Sequence, residues 1–302
     1  MLEGIRAYIR KLDILTQGLV VCCCHSSNIG INGFSGTPEK FKAFTNSINQ
    51  RSIVNHTFWL YFPINDGEFI RAAWVRRVKR MDGSGAMPIL VIETSLGRTM
   101  TFGHHVPARL RHLYDYLPLV KNGDGVITGI FHNGLDPQAS KFRSGKISVF
   151  GVTCNEKQYR SQALNPEPTP IHLDAPQLPG CNPGLAWYMT KARLEGLCRV
   201  RVCRDREELH QSCLGLLLYY EDGHLESLGQ VRWDRDLEHE VLAPFRVENV
   251  VVGGKNYIKD VRKDAAYTGN FLKESKWQSV PRYGTLIWWF GHMGNRITIY
   301  HD

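Results

Sequence analysis

Short apolar runs separated by turn clusters dominate this chain, and apolar residues at three- and four-residue spacing are rare, a pattern that predicts strands far more than helices. The runs fall at Phe58–Ile64, Phe69–Val78, Ile89 to His104 (a hairpin), Val126–Phe131 and Lys146–Val152, then at Leu197–Cys203, Leu214–Tyr220, His224–Val231, Val247–Val252 and Thr285–Tyr300. Asn65-Asp66-Gly67, Asp222-Gly223 and Gly291-His292-Met293-Gly294-Asn295 supply turn chemistry between them. Two helices are expected. Glu39–Ile48 follows a cap-like Thr37-Pro38 and places Phe41, Phe44 and Ile48 on one face, and Leu2–Leu15 is the second candidate.

One pattern occurs twice. When Gly223 is laid over Gly97 and Gly229 over Gly103, Leu214–Gln230 aligns with the hairpin beginning at Ile89. A hairpin used twice predicts internal pseudo-symmetry. Between the copies, Pro166, Pro168, Pro170, Pro176, Pro179 and Pro183 crowd a segment in which proline removes backbone donors and opposes regular structure. The expected fold is therefore mainly β: two related antiparallel units, of β-prism, sandwich or barrel-like form, with a small N-terminal helical element. Their expected limits are 1–154 and 185–302, joined by a proline-rich linker or crossover at 155–184.

Composition narrows the setting. With 302 residues and 43% hydrophobic content, the chain can bury a sizeable core. Its longest early apolar run, Gly18–Cys24, is too short to span a bilayer and lacks the flanks of a signal peptide. Eight cysteines include the consecutive Cys22, Cys23 and Cys24, whose alternating directions in a strand fit buried reduced thiols better than a disulfide framework. A cytoplasmic protein without a transmembrane segment is expected. The sequon Asn55-His56-Thr57 would matter only in a secreted chain. A net charge of +8 favours acidic partners without selecting one.

Four chemistries have candidate residues. Trp233 with Asp234, Trp288 with Trp289, and Trp59 with Tyr61 pair flat apolar rings with polar groups, as a sugar or other ring ligand requires. Neighbouring Trp288 and Trp289 should face opposite sides of a strand, leaving one for the core and one for a surface. Cys198, Cys203, His210 and Cys213 lie in a short window but not at zinc-ligand spacing, so no metal is expected. His104, His105, His112, His132 and His224, with Glu93, Asp115, Asp222 and Glu226, offer acid–base groups without a catalytic signature. Arg71, Arg76, Arg77, Lys79 and Arg80, Arg109 and Arg111, and Arg199, Arg201, Arg204 and Arg206 would suit phosphates, although charged sheet edges explain them as well; nucleic acid is possible but not favoured. The glycine pairs near Gly123–Gly125 and Gly253-Gly254-Lys255 form no phosphate cradle, and no cofactor is expected.

The stretch Gly215–Asp234, with its Asp222-Gly223 turn and Leu228-Gly229-Gln230-Val231-Arg232 ending, resembles a hairpin of uncharacterised fungal β-rich proteins, as do Gly33-Phe34-Ser35-Gly36 and Trp288-Trp289-Phe290. The hairpin style is also similar to that of jacalin-like β-prism lectins. Their sugar-binding loop places Asp four residues after Gly; here the acid after Gly229 falls at Asp234, one position late. The repeated hairpin and the lack of a catalytic signature point to a non-enzymatic, lectin-like or protein-binding module, with Trp233, Asp234, Asp222, His224, Trp288, Trp289, Trp59 and Tyr61 as ligand-binding candidates and a glycan, small molecule or protein as partner. The alternative is a small-molecule enzyme of cyclase or isomerase type with an apolar β-walled pocket and a His or Asp that moves a proton.

Overall fold

The computed structural model describes residues 8–11, 17–24, 27–50, 57–79, 87–121, 124–134, 146–155, 168, 187–208, 210–264 and 276–301. The fold is mainly β and separates into two compact units, residues 1–60 with 64–177 and residues 61–63 with 178–302. The sequon's Asn55 and His56, Arg80, and the proline-rich segment apart from Pro168 lie outside the described residues.

The first unit contains β1 (Tyr8–Lys11), β2 (Gly18–Cys24), β3 (Ser27–Phe34), α1 (Pro38–Asn49), β4 (Phe58–Pro63), β5 (Ile70–Val78), β6 (Ile89–Thr94) and β7 (Thr99–Thr101). A 3₁₀ helix (Ala108–Leu113), β8 (Tyr114–Pro118), β9 (Val126–His132) and β10 (Phe150–Asn155) follow. The last three residues of β4 belong to the second unit. Sheet orders are β3–β2–β4, β7–β6–β5–β8 and β1–β9–β10. Phe41, Phe44 and Ile48 of α1 are buried, with Trp59 packed 6.2 Å from Phe41 and 5.7 Å from Phe44. Gly30 admits the helix, because a Cβ there would stand 2.6 Å from Ile48.

The second unit contains β11 (Tyr188–Arg193), β12 (Leu197–Arg204), β13 (Cys213–Tyr220), β14 (Leu225–Gly229), β15 (Asp236–Leu242) and β16 (Phe245–Val252). It continues with β17 (Lys255–Lys263), β18 (Trp277–Val280), β19 (Thr285–Gly291) and β20 (Gly294–Tyr300). Its sheets run β14–β13–β12–β15 and β11–β19–β20–β17–β16–β18.

The repeat extends well past one hairpin. Both four-stranded sheets place the fourth strand beside the first, which is the Greek-key order. Their registers agree residue for residue: Val91↔Thr101 and Ile92↔Met100 in the first unit match Leu217↔Ser227 and Leu218↔Glu226 in the second. The preceding strands agree as well, with Trp74↔Val91 and Arg76↔Ile89 matching Arg201↔Leu217 and Cys203↔Gly215. Each first strand carries a bulge at the same place, between Ile70 and Ala72 and between Leu197 and Arg199.

A second hairpin also has a counterpart, at the opposite end of its unit. Hairpin β2–β3 precedes the Greek key of the first unit and pairs with β4, whereas β19–β20 follows that of the second and pairs with β11. Near both turns an asparagine sits at the same register, Cys23↔Asn28 and Phe290↔Asn295.

Four expectations need correction. Only 8–11 of the Leu2–Leu15 candidate are described, and they form β1, paired with β9. The strand expected from Lys146 begins at Phe150. Thr37 caps α1 through its backbone alone, its carbonyl accepting the Phe41 N–H at 3.3 Å while its side chain makes no cap bond. Strands β3, β8, β11, β15, β17 and β18 were not expected; β17 is charged on both faces, and β15 carries acids on one face with only Leu237, His239 and Val241 on the other.

Candidate functional site

Of the candidate ring-binding tryptophans, only Trp233 retains surface. Trp59, Trp288 and Trp289 have relative exposures of 1%, 0% and 1%. Both faces of β19 are covered, which overturns the expectation that one of Trp288 and Trp289 reaches a surface. Trp289 donates its ring N–H to Thr298 Oγ1 at 3.0 Å, and Trp288 lies close enough to Gly229 that a Cβ there would be 3.0 Å from its ring. These three rings stabilise the core.

Trp233 sits in the turn between β14 and β15, half-buried, with the Tyr61 ring edge-on at 6.0 Å. Tyr61 is itself buried, and its carbonyl accepts the Ser227 hydroxyl within the second unit. Beside the ring, Arg232 grips Asp234 with two bonds, Nε to Oδ1 at 3.1 Å and Nη2 to Oδ2 at 2.6 Å. Arg235 continues the line, 3.2 Å from Asp205 and 2.6 Å from Glu207. The turn thus presents an indole flanked by a chain of fixed charged donors and acceptors. A ring with hydroxyls can stack on the indole and exchange hydrogen bonds with planar carboxylate and guanidinium groups already oriented by each other.

Asp222 and His224 form a separate cluster on the β13–β14 turn. Asp222 Oδ1 accepts both the His224 backbone N–H and its Nδ1–H, and these bonds, the backbone one foremost, hold the Asp222 carboxyl below the usual carboxylate range. The imidazole stacks on Tyr220 at 3.9 Å and 12°. Glu226 Oε1 is 4.0 Å from its Nε2.

The other acid–base candidates are tied into the structure. His104 Nε2 lies 3.4 Å from the Tyr114 hydroxyl, while Arg76 donates Nη2 to the His104 carbonyl at 2.8 Å and stands over the Tyr114 ring. Burial first, then the Arg76 and His105 charges, push His104 down to about 4; burial and Arg76 do the same to His105. His132 Nδ1 accepts the Gly134 N–H, Glu93 takes Arg71, and Asp115 takes Lys79. His112 is exposed.

The cysteine window does not assemble into a metal site; among the described residues no three His, Cys, Asp or Glu side chains group as a metal cluster. Cys198 points to the Gly196 carbonyl, Cys203 to that of Arg232 and Cys213 to that of Lys259, while His210 packs on Tyr257 at 4.7 Å. Burial pushes the Cys203 and Cys213 thiols up to about 12 and raises Cys23 as well. Each described cysteine is a free thiol, and Cys22, Cys23 and Cys24 are buried. No helix among the described residues is long and apolar enough to cross a membrane.

Sequence reasoning missed Trp277, which lies under two guanidinium groups, Arg246 at 4.7 Å and Arg262 at 5.3 Å. Arg246 and Arg262 are cross-strand neighbours, a relation visible only once β16 and β17 are paired. No model of a known protein family matches this chain, and no curated protein matches it.

Proposed function

We propose that the chain is a non-enzymatic, lectin-like binding module that holds a glycan at the Trp233–Asp234 turn. The observation that carries this reading is the half-buried Trp233 ring beside the bidentate Arg232–Asp234 pair. Sugars combine an apolar ring face with a rim of hydroxyls, and this turn offers a surface for each. The chemistry elsewhere supports binding over turnover. Histidines held near 4 are weak bases at neutral pH, and thiols raised to about 12 are poor nucleophiles.

The test is a glycan array with the wild-type chain and with Trp233→Ala and Asp234→Asn. Wild type should bind a defined set of glycans, and loss of one stacked ring should weaken binding by about tenfold or more. An array without hits, or hits unaffected by both substitutions, would sink the proposal.

A further inference from the structure

The repeated Greek key allows one sheet to be compared with itself. In the second unit, the first strand β12 is rich in arginine and the edge strand β15 supplies carboxylates to it: Arg199 meets Glu240 at 3.1 Å, Arg204 meets Glu238 at 2.7 Å and, just past the strand's end, Arg206 meets Asp236 at 2.8 Å. At the same register in the first unit, β5 carries Arg77 where β12 has Arg204, with Lys79 just beyond its end where Arg206 stands in the second. Asp115 on β8 stands opposite Arg77 as Asp236 stands opposite Arg204. There the likeness stops. Where β15 continues with Glu238 and Glu240, β8 continues with Leu117 and Pro118.

The result is a cationic sheet edge whose carboxylates have been replaced by apolar side chains. Asp115 pairs with Lys79 at 3.3 Å, and among the described residues Arg77 and Arg109 enter no ion pair, although both are exposed. Leu110, Leu113 and Leu117 are 38%, 43% and 45% exposed. Leu110 and Leu113 are three apart in the 3₁₀ helix and so share a side. Leu113 meets Lys79 through a backbone bond and leads into β8, whose exposed Asp115 and Leu117 lie on the same side of the sheet as Arg77, at an edge beyond the buried Val75.

We infer that this face, formed by β5, β8 and the 3₁₀ helix, docks onto an anionic phospholipid surface. The leucines would enter the headgroup boundary while Arg77, Lys79 and Arg109 face lipid phosphates, the arrangement by which apolar and cationic residues together hold a protein on a membrane without crossing it. Charge complementarity selects this occupant: the apolar residues exclude a purely electrostatic partner such as nucleic acid, which would be met by cations and stacking aromatics.

Co-sedimentation of the full chain with vesicles tests the inference, using phosphatidylcholine alone and phosphatidylcholine mixed with phosphatidylserine at about two to one. Wild type should sediment with the mixed vesicles only, and less so as salt is raised. Each cation near an anionic surface contributes about fivefold, so the triple variant Arg77→Gln, Lys79→Gln, Arg109→Gln should bind about a hundredfold more weakly. Leu110→Ser with Leu113→Ser and Leu117→Ser should also weaken binding, by about tenfold or more. Arg199→Gln with Arg206→Gln, at the paired arginines of the second unit, should change nothing. Circular dichroism establishes that each variant is folded. Wild type that ignores phosphatidylserine, full binding by the folded triple glutamine variant, or equal loss in the Arg199 and Arg206 variant would each overturn the assignment.

Discussion

At the scale of single residues, the two matched turn glycines do the same work by the same means. Gly97 and Gly223 adopt φ of +73° and +86°, the left-handed region, and a Cβ at either would meet nothing within 4 Å. Only backbone strain opposes a side chain there, so Gly97→Ala and Gly223→Ala should each cost about 1 kcal/mol in urea-monitored unfolding. Gly229 is different. It combines φ +66° with a Leu214 carbonyl 2.5 Å from any added Cβ, and Gly229→Ala should cost about 3 kcal/mol. Equal losses at Gly223 and Gly229 would refute the close approach. Gly223 is legible in sequence as a turn glycine and Gly229 as a strand end, but the close approach at Gly229 is not, because it depends on which backbone lies across the sheet.

At the scale of elements, the hairpins near Asn28 and Asn295 carry the most demanding polar groups of their strands. Asn28 donates Nδ2–H to the Phe102 carbonyl at 2.6 Å and accepts the Leu90 N–H at 3.2 Å. Asn295 donates to the Cys213 carbonyl at 2.8 Å and accepts the Ile258 N–H at 2.7 Å. Each buried amide satisfies two backbone groups that have no water to turn to. Asn28→Ala and Asn295→Ala should therefore each destabilise by about 3 kcal/mol, measured as a shift in the denaturant midpoint at unchanged slope. Leucine in place of either should do no better, since apolar packing cannot satisfy the buried backbone partners. The sequence made the strands legible where one face is apolar, as in β5, β6, β13 and β14. It hid β15 and β17, where ion pairs such as Arg204–Glu238 and Arg262–Asp260 replace apolar contact on the outer face. It also misdirected the search for rings: Trp288 and Trp289 read as one inside and one outside, and a sheet covered on both sides takes in both. Trp233 stood out because it follows a glycine-ended strand and precedes an acid, whereas the grip of Arg232 on Asp234 needed the turn to be folded.

At the scale of the whole molecule, acid should act on the first unit before the second. His104 and His105 fall to about 4 in the fold from an ordinary 6.5. Between about 6.5 and 4 the unfolded chain binds protons at these rings that the folded chain refuses, so their contribution to stability is full above 6.5 and declines as pH falls toward 4. Allowing for their partial exposure, the loss is on the order of a few kcal/mol. Cysteines report it locally, since Cys22, Cys23 and Cys24 lie in the first unit and Cys203 and Cys213 in the second, all buried. Brief incubation at graded pH with a thiol-reactive probe active in acid, followed by peptide mass spectrometry, should label the first group at higher pH than the second. Labelling of both groups together would show that the histidines do not set the acid limit.

The placement of the second closing hairpin has a consequence for synthesis. Strands β19 and β20 leave the ribosome after every other described strand of their unit, yet β19 stands between β11 and β20, and its Trp288, Trp289 and Phe290 fill the core. During translation β11 must wait with its partner edge open until that hairpin emerges, whereas β2 and β3 are already present when β4 appears. A premature stop codon ahead of Thr285 would release the later half without the two strands that join β11 to β17, a client for chaperones and proteases rather than a shortened protein.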